Sequence, residues 1–414
     1  MMSTNRNQVN RRRFLQASAA GIGAATILPS HVVAAKAKKA KAEELPPSET
    51  LGGALIGCGG RGGGTFGCLG PGVRRLASCD VLFKDKADDK TFYTDFRKVL
   101  ERKDIDVVAI ATHPGWHALI SIAAMEAGKD VVCEKPMCRF ISEGRAVADA
   151  EKRFGRIFQI ESKGGYGPNK VRKIFESGLV KKCDCVVIRQ GGFKVKEWSG
   201  KVKYNPTPVP ANLDWDMYCG PAPLRVFQPH RNHGTHRGYW DYEGGGLADM
   251  AHHDLHHVAY NTGRDLSSPV EITPYAPQGH PECCMVWGWC ELKYADGFTL
   301  VLTSNEWGPK YDRLTSKAPS EKDLLALLSE EDRKKLDAMP EPKVGPMFPE
   351  AVRKRVPTGS HAERSHRVAT IYHLANVAFR CNRPLKFDPV TEQIVGDDEA
   401  NRLVNPPTRA PWRL

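Results

Sequence analysis

The sequence LGGALIGCGGRG, at residues 51–62, joins an apolar run to a glycine-rich turn. The glycines form a G-x-G-x-x-G pattern directly after apolar residues 54–56. At the end of a strand, this pattern predicts a strand–turn–helix unit that holds a dinucleotide, because the glycines permit a tight turn, close approach of a pyrophosphate and close helix packing. A flexible glycine loop is the alternative. The predicted phosphate-binding residues are Gly57, Cys58, Gly59, Gly60, Arg61 and Gly62.

An acidic residue follows at the spacing that a dinucleotide site requires. Asp80 lies 18 residues after Gly62 and ends a second apolar run. A carboxylate there can bind a ribose 2′-hydroxyl and repels a 2′-phosphate, which favours NAD over NADP. Lys84 and Lys86 lie nearby and keep NADP open. An ordinary polar residue at a strand end is the alternative for Asp80.

Strand and helix patterns alternate through the next segment. Continuous apolar runs at 105–111 and 130–133 predict strands buried on both faces, and 117–127 predicts a helix between them. This alternation predicts an α/β fold with a doubly wound parallel sheet, whose ligands bind at the carboxyl ends of the strands. Four polar or glycine residues follow predicted strands and fall at those ends: Gly57, Asp80, Thr112 and Lys135.

Lys135 stands in a Glu-Lys-Pro sequence directly after the strand at 130–133. A lysine beside a bound nicotinamide can polarise a hydroxyl or carbonyl oxygen, and Pro136 would fix the turn that directs it. A solvated surface lysine is the alternative, and only the location argues against it. The predicted cofactor site therefore also includes Thr112, His117, Glu134 and Lys135.

Composition and charge exclude several classes of protein. The chain has 414 residues, which suggests two domains, and 41% of them are hydrophobic, as in a soluble enzyme. The net charge of +12 arises largely in residues 1–42, which hold eight basic residues and no acidic one. The remainder is nearly balanced and has no basic run interleaved with aromatic residues, so we do not expect nucleic-acid binding.

The basic N-terminus has the form of an export signal. Residues 10–16, NRRRFLQ, are typical of a twin-arginine signal, and the apolar stretch at 17–28 is too short to span a bilayer. We predict a signal peptide at 1–35, a linker at 36–50 and a periplasmic location, with no stable membrane insertion. A disordered basic tail is the alternative. The 12 cysteines contain no C-x-x-C pair, so a structural zinc site has no support.

Spaced motifs along nearly the whole mature chain resemble the Gfo/Idh/MocA oxidoreductases, named after glucose–fructose oxidoreductase and inositol dehydrogenase. The resemblance rests on GCGGRG, IDVVAIATHPGWHA, AGKDVVCEKP, LDWDMYCGPAP, GGGLADMAHHD and the tail FDPVTEQIVGDDEANRLVNPPTRAPW. It implies a Rossmann domain, at 51–165, and a C-terminal α/β domain with a largely antiparallel open sheet, at 166–414. It also implies a homodimer or homotetramer. Residues 309–360 are a predicted insertion.

The resemblance also implies a catalytic set of Lys135, Asp249 and His253. Asp249 and His253 are four residues apart, so in a helix they share one face. A histidine suits general base chemistry on a hydroxyl, and the aspartate can contact substrate or orient the ring. Two departures from the family pattern stand nearby: Ala251 replaces a glycine, and His256 occupies the place of an aspartate.

Other residues of this region carry weaker predictions. His253 and His257 have the spacing of a zinc-binding helix, but no third ligand stands out and we predict no metal. Aromatic rings stack on sugar faces, and Arg and His side chains bind hydroxyl groups. The predicted substrate residues are Trp215, His230, Arg231 and His256. The alternatives are a core anchor for Trp215, a solvated loop around residue 230 and packed histidines on the helix.

Three further elements are predicted from pattern. Residues 284–306 predict a β-hairpin that turns at Asp296-Gly297. Residues 320–339 predict one amphipathic helix, and 365–381 predict another.

Together these features predict an NAD(P)-dependent oxidoreductase that acts on a hydroxyl of a sugar, polyol or glycoside. Because the periplasm supplies little free cofactor, we expect the cofactor to be tightly bound and restored in each cycle. One alternative is an NAD-dependent glycoside-cleaving enzyme that works by transient oxidation and elimination. Another is a sugar- or cofactor-binding protein without catalysis.

Overall fold

The computed structural model of the protein describes residues 50–161, 170–180, 184–189, 193–203, 205–314 and 320–414. The predicted signal at 1–35 and residues 36–49 of the predicted linker lie outside these ranges. No helix within them is long and apolar enough to cross a membrane.

The first part of the chain alternates strands and helices in the predicted manner. Its elements are β1 (Leu51–Ile56), α1 (Gly62–Gly67), β2 (Val73–Cys79), β3 (Phe92–Tyr93), α2 (Phe96–Glu101), β4 (Val107–Ile110), α3 (His117–Glu126), β5 (Asp130–Glu134), α4 (Ile141–Phe154) and β6 (Phe158–Glu161). The six strands form one parallel sheet in the order β3-β2-β1-β4-β5-β6. This order confirms the doubly wound fold, and it places a ligand crevice where the order reverses, between β1 and β4.

The second part is built on a mixed sheet. Its elements are α5 (Lys170–Ser177), β7 (Cys185–Arg189), α6 (Trp215–Cys219), α7 (Gly245–Asn261), β8 (Glu271–Tyr275), β9 (Trp289–Lys293), β10 (Thr299–Thr303), α8 (Glu321–Ala326), α9 (Glu330–Ala338), α10 (Phe348–Lys354), α11 (Ala362–Cys381), β11 (Leu385–Asp388), β12 (Gln393–Ile394) and α12 (Asp398–Val404). The strand order is β12-β11-β8-β9-β10-β7, and every pairing is antiparallel except that of β10 with β7. The largely antiparallel sheet is therefore confirmed, as is the hairpin of β9 and β10.

The predicted helix at 320–339 is wrong in its continuity. The structure has two short helices, α8 and α9, instead of one. Ser329 accepts a hydrogen bond from the Asp332 amide and so begins α9 as its N-cap. A serine that caps a new helix competes with continuation of the previous one.

The later half of the predicted insertion packs on the parallel sheet. Phe348 is buried in an apolar cluster with Leu55 and Val107, and its amide donates to Gln159 Oε1 at 2.8 Å. The Thr358 hydroxyl donates to the Phe158 carbonyl oxygen at 2.7 Å, which covers the edge at β6. Whether residues 309–360 are an insertion stays a prediction, but this half contributes to the core.

Helix α11 connects the two sheets. It is 20 residues long, most of its side chains are buried, and it packs against α4, α7 and β8. One apolar core accordingly contains residues of both sheets, among them Ile56 and Val131 from the first and Ile272 and Leu302 from the second. This packing holds α7 opposite the carboxyl ends of the parallel strands.

Candidate active site

A cavity of about 690 Å³ lies between the carboxyl ends of the parallel strands and helix α7. At one end it is lined by the glycine turn and Asp80, and at the other by Asp249 and His253. A cavity of this size at a sheet switch point is the usual place for a ligand in such folds.

The glycines of the turn have three different surroundings. Gly57 has φ +90°, and a Cβ there would overlap the backbone of Ala111. A Cβ on Gly62 would lie 2.5 Å from the Gly57 carbonyl oxygen. Gly59 and Gly60 line the cavity, and a Cβ on either would meet no atom within 4 Å. The turn therefore needs two of its glycines to form and leaves two bare faces toward the cavity.

Asp80 supports this turn from the end of β2. Its Oδ2 accepts a hydrogen bond from the Cys58 amide at 2.7 Å, and its Oδ1 accepts one from the Leu82 amide at 2.8 Å. Asp80 lines the cavity, whereas the Cys58 side chain does not. Burial raises the pKa of the Cys58 thiol to about 11, so the thiol stays protonated at neutral pH. Cys58 thus serves this site through its backbone amide.

Arg61 and Glu134 form an ion pair across the cavity wall. Arg61 Nη2 lies 2.9 Å from Glu134 Oε1, and Arg61 Nε donates to the same oxygen at 3.0 Å. The Thr65 hydroxyl also donates to Glu134 Oε1, and the Lys135 amide donates to Oε2 at 3.2 Å. This carboxylate therefore ties the glycine turn to the turn that carries Lys135.

His117, predicted to contact cofactor, does not line the cavity; this is a correction. Its ring is buried, with Nδ1 2.7 Å from the Pro136 carbonyl oxygen and Nε2 2.9 Å from the Thr112 carbonyl oxygen. Burial lowers the pKa of His117. The ring therefore links the loops after β4 and β5, and Thr112 itself lines the cavity.

Lys135 and Asp249 meet at the other end of the cavity. Lys135 Nζ donates to Asp249 Oδ1 at 2.9 Å and to the Asp249 carbonyl oxygen at 2.8 Å. Arg237 Nε lies 3.0 Å from the same Oδ1. Burial alone would raise the pKa of Asp249, but the charges of Lys135 and Arg237 lower it below its usual value. The carboxylate is therefore ionised and holds both cations.

The start of helix α7 positions Asp249 and His253. A Cβ on Gly246 would overlap the Phe193 carbonyl oxygen, so glycine lets the helix begin against that backbone. Asp249 and His253 follow on one face and both line the cavity. The structure thus brings Lys135, Asp249 and His253 to one cavity, as the shared helix face predicts, while their catalytic roles stay predictions.

His256, a predicted substrate residue, does not line the cavity; this is a second correction. It is buried, and its Nδ1 lies 2.8 Å from the His252 carbonyl oxygen. His252 is also buried, with its ring 6.4 Å from that of Tyr372 on α11. Position 256 lies about two helical turns after Asp249, where the side chain is buried and no longer reaches the cavity.

The other predicted substrate residues also lie outside the cavity lining. Trp215 stacks on Tyr218 with ring centroids 5.0 Å apart, so it is a core anchor. His230 Nδ1 lies 2.9 Å from the Tyr239 hydroxyl. Arg231 is buried and pairs with Asp241 at 3.1 Å and Glu282 at 2.7 Å. A buried arginine needs such carboxylates, and these hold the side chain away from the cavity.

Sequence reasoning missed several side chains that line the cavity, among them Glu243, His236, Arg237 and His113. Glu243 is 2% exposed, and its Oε2 lies 3.3 Å from His236 Nε2 and 4.0 Å from Arg237 Nε. Burial first, and then the charge of Asp249, raise the pKa of Glu243. The His236 ring lies 5.9 Å from that of His113, which also lines the cavity. The available signal was the sequence His-Arg-Gly at 236–238, shortly before the helix of Asp249.

The histidine spacing of α7 does not assemble a metal site. Within the described ranges, no group of three His, Cys, Asp or Glu side chains is placed to hold a metal ion. His253 lines the cavity, whereas His257 is exposed.

Family models match both parts of the chain. The oxidoreductase-family model for the C-terminal alpha/beta domain (Gfo/Idh/MocA) matches residues 166–414, which is more than half of the chain. This chain belongs to the Gfo/Idh/MocA oxidoreductase family. The model for the family's NAD-binding Rossmann fold matches residues 74–162. The parallel sheet is thus the NAD-binding Rossmann domain of the family.

Individual relatives match over shorter lengths. Levoglucosan dehydrogenase of Pseudarthrobacter phenanthrenivorans is 49% identical over 59 residues, 14% of this chain and 15% of that protein. A glycosyl hydrolase family 109 protein of Solibacter usitatus is 30% identical over 196 residues, 42% and 44% of the two chains. The matches therefore span less than half of these curated relatives. The WlbA dehydrogenase of Bordetella pertussis, solved with NADH and UDP-GlcNAcA, has the same fold: its TM-score is 0.53 at 14% identity, over 82% of this chain and 99% of that one.

The residues present fit a bound NAD. The bare faces of Gly59 and Gly60 permit the backbone to approach a pyrophosphate, and Asp80 lines the cavity at the end of β2. Arg61 adds a positive charge beside the turn. NAD held there supplies a hydride acceptor, and the protein supplies binding and orientation.

Proposed function

We propose that this protein is an exported, NAD-dependent oxidoreductase that oxidises a hydroxyl group of a sugar, polyol or glycoside. The observation that carries the proposal is the shared cavity: Lys135, Asp249 and His253 line the same space as the glycine turn and Asp80. The family membership and the similarity to a levoglucosan dehydrogenase support the same chemistry.

Each catalytic-end side chain has a role that its contacts favour. His253 takes the proton of the substrate hydroxyl as general base. Lys135 Nζ, held by Asp249 at 2.9 Å, polarises the substrate oxygen. Asp249 keeps the ammonium group in place and stays ionised because Lys135 and Arg237 lower its pKa. These roles describe oxidation in one direction, and the reverse proton transfers serve reduction.

Export and a tightly bound cofactor belong to the same proposal. The twin-arginine pattern at residues 10–16 supports export. A periplasmic enzyme of this type carries its NAD out in the folded state. The NADH formed when one sugar is oxidised returns to NAD by reducing the carbonyl group of a second sugar. Assembly into a homodimer or homotetramer is part of the proposal, and the family resemblance supports it.

Redox-neutral cleavage of a glycoside is the second candidate function. The similarity to a glycosyl hydrolase family 109 protein over 196 residues favours keeping it. In that reaction, transient oxidation acidifies the neighbouring C–H, the glycosidic group is eliminated, and re-reduction closes the cycle. Product analysis separates the two candidates: a keto product supports net oxidation, and a freed aglycone without redox change supports cleavage.

The first experiment is an absorbance spectrum and mass analysis of protein purified from the periplasm without added cofactor. Stoichiometric NAD(H) that survives dialysis supports the proposal. A folded protein without cofactor in that compartment contradicts the preloaded cycle. Turnover of a sugar panel by the loaded protein then tests the reaction, and bound NAD without any turnover would favour a sugar- or cofactor-binding role.

A further inference from the structure

Acidic side chains outnumber basic side chains in the lining of the cavity. Among the described residues that line it, three are basic and five are acidic. The basic ones are Arg61, Lys135 and Arg237, and the acidic ones are Asp80, Glu134, Glu161, Glu243 and Asp249. Each of the three cations has a carboxylate partner: Arg61 pairs with Glu134, whereas Lys135 and Arg237 share Asp249.

We infer that this cavity accepts uncharged polyhydroxyl substrates and excludes sugar acids and sugar phosphates, with Glu243 as the residue that determines this selectivity. The inference rests on the proposed function, since it narrows the substrate class of the same site. Its basis is the ion cluster at the catalytic end, in which Glu243 and Asp249 both face Arg237.

Arg237 is the side chain that an anionic substrate would have to recruit. Its Nε lies 3.0 Å from Asp249 Oδ1, its Nη1 donates to the Gly234 carbonyl oxygen at 3.0 Å, and its guanidinium lies over the Trp198 ring at 4.7 Å. The side chains of Asp249 and Glu243 are only 6% and 1% exposed. Moving Arg237 onto a substrate anion would bring a second negative group close to the buried Asp249 carboxylate, and a third wherever the pH exceeds the raised pKa of Glu243. The low-dielectric interior disfavours such a cluster of like charges.

Lys135 is suited to a neutral oxygen instead. An ammonium group has three N–H donors, and within the described part of the chain Asp249 accepts from two of them. The remaining donor can point to a hydroxyl or carbonyl oxygen without separating the Lys135–Asp249 pair. The catalytic end therefore offers a polarised hydrogen bond, whereas both of its cations are already held by buried carboxyl groups.

The test compares matched sugars on the NAD-loaded wild-type protein. One pair of probes is glucose and glucuronate, and the other is methyl glucoside and glucose 6-phosphate. For each sugar we measure turnover and the shift of the thermal unfolding midpoint. We expect kcat/KM for the uncharged member to exceed that of the anionic member by at least about tenfold, because like charges disfavour binding. An equal or higher value for the anionic member would overturn the inference while leaving the proposed oxidation intact. If no uncharged sugar is turned over or raises the midpoint, the proposed function fails and the inference fails with it.

The variant Glu243→Gln tests the assigned residue. It removes one carboxylate from Arg237, so we expect the preference for uncharged over anionic sugars to fall by about tenfold. Glu282→Gln is the matched control, because Glu282 also pairs with arginines, Arg225 and Arg231, but does not line the cavity. An unchanged preference in Glu243→Gln, or an equal change in the control, would contradict the role of Glu243. The wild-type comparison decides the substrate class even if Glu243→Gln does not fold.

Discussion

At the end of the cavity that holds the glycine turn, the chain presents mainly backbone and bare glycine faces, whereas at the start of α7 it presents charged side chains that contact one another. The turn end depends on conformation: Gly57 needs a positive φ, and Gly59 needs an open face. The α7 end depends on charge: Lys135, Arg237 and Glu243 all surround Asp249. Substitutions of the glycines at the first end should therefore act through sterics, and substitutions of the charged side chains at the second end should act through electrostatics.

The largest effect is expected from Lys135→Met at the charged end. Methionine keeps the length of the side chain but removes the donor that polarises the substrate oxygen, so kcat should fall by about 10³-fold. Asp249 keeps Arg237 as a partner, so the protein should still fold and hold NAD. Turnover and bound NAD per protein are the measurements, with Lys98→Met as a surface control. Loss of NAD together with activity would show that the two ends are not separable.

Next in size is a contrast between two glycines only two positions apart. Gly57→Ala introduces a Cβ at φ +90° against the Ala111 backbone and should cost about 3 kcal/mol of folding free energy. Gly59→Ala meets no atom within 4 Å, so stability should stay within about 0.5 kcal/mol of wild type. Its NAD affinity should instead fall at least about tenfold, which is about 1.4 kcal/mol. Urea unfolding measures the stability of both variants, and NAD titration measures their affinity for the cofactor. Equal losses of stability would contradict the different roles given to Gly57 and Gly59.

The same contrast explains how much of the site could be predicted from sequence. The glycine turn could be predicted because Gly57, Gly59 and Gly62 act through local backbone geometry. Their spacing in the sequence is enough to indicate that geometry. The grouping of Asp249 with His253 is readable because helical period places them on one face. Glu243 and His236 could not be identified, since their meeting depends on how a short 3-10 helix folds against the start of α7.

The placement of the predicted substrate residues outside the cavity lining has a related physical cause. Arg231 and Arg237 are alike in sequence, six residues apart in one polar segment. Arg231 forms an ion pair with Glu282, 51 residues later in the chain, whereas Arg237 forms one with Asp249. Tertiary packing determines which carboxylate pairs with an arginine, and no local sequence pattern indicates the partner. The parallel sheet could be predicted because two of its strands carry continuous apolar runs, at residues 107–110 and 131–133.

A smaller effect is expected from Arg61→Gln, which adds charge dependence to the turn end. Arg61 is the partner of Glu134, with Glu161 also lining the cavity nearby. Without Arg61, these carboxylates face a dinucleotide that itself carries negative phosphates, so NADH should dissociate about tenfold faster. Stopped-flow fluorescence of NADH release from the loaded protein is the measurement. An unchanged rate would mean that the backbone alone holds the cofactor at this end.

The smallest expected effect is a pH dependence of stability, which should differ between variants at the two ends of the cavity. Burial, followed by the charge of Asp249, raises the pKa of Glu243 above 4.5, so between pH 4.5 and that raised value the folded protein binds more protons than the unfolded chain. The stability from this group is complete below pH 4.5 and is lost as pH rises through the raised pKa. Glu243→Gln has no proton to lose, so its unfolding midpoint relative to wild type should rise steadily with pH over this window. Gly59→Ala, at the other end, should differ from wild type by a constant amount. A Glu243→Gln midpoint that stays constant or falls with pH relative to wild type would show that burial does not hold a proton on this carboxylate.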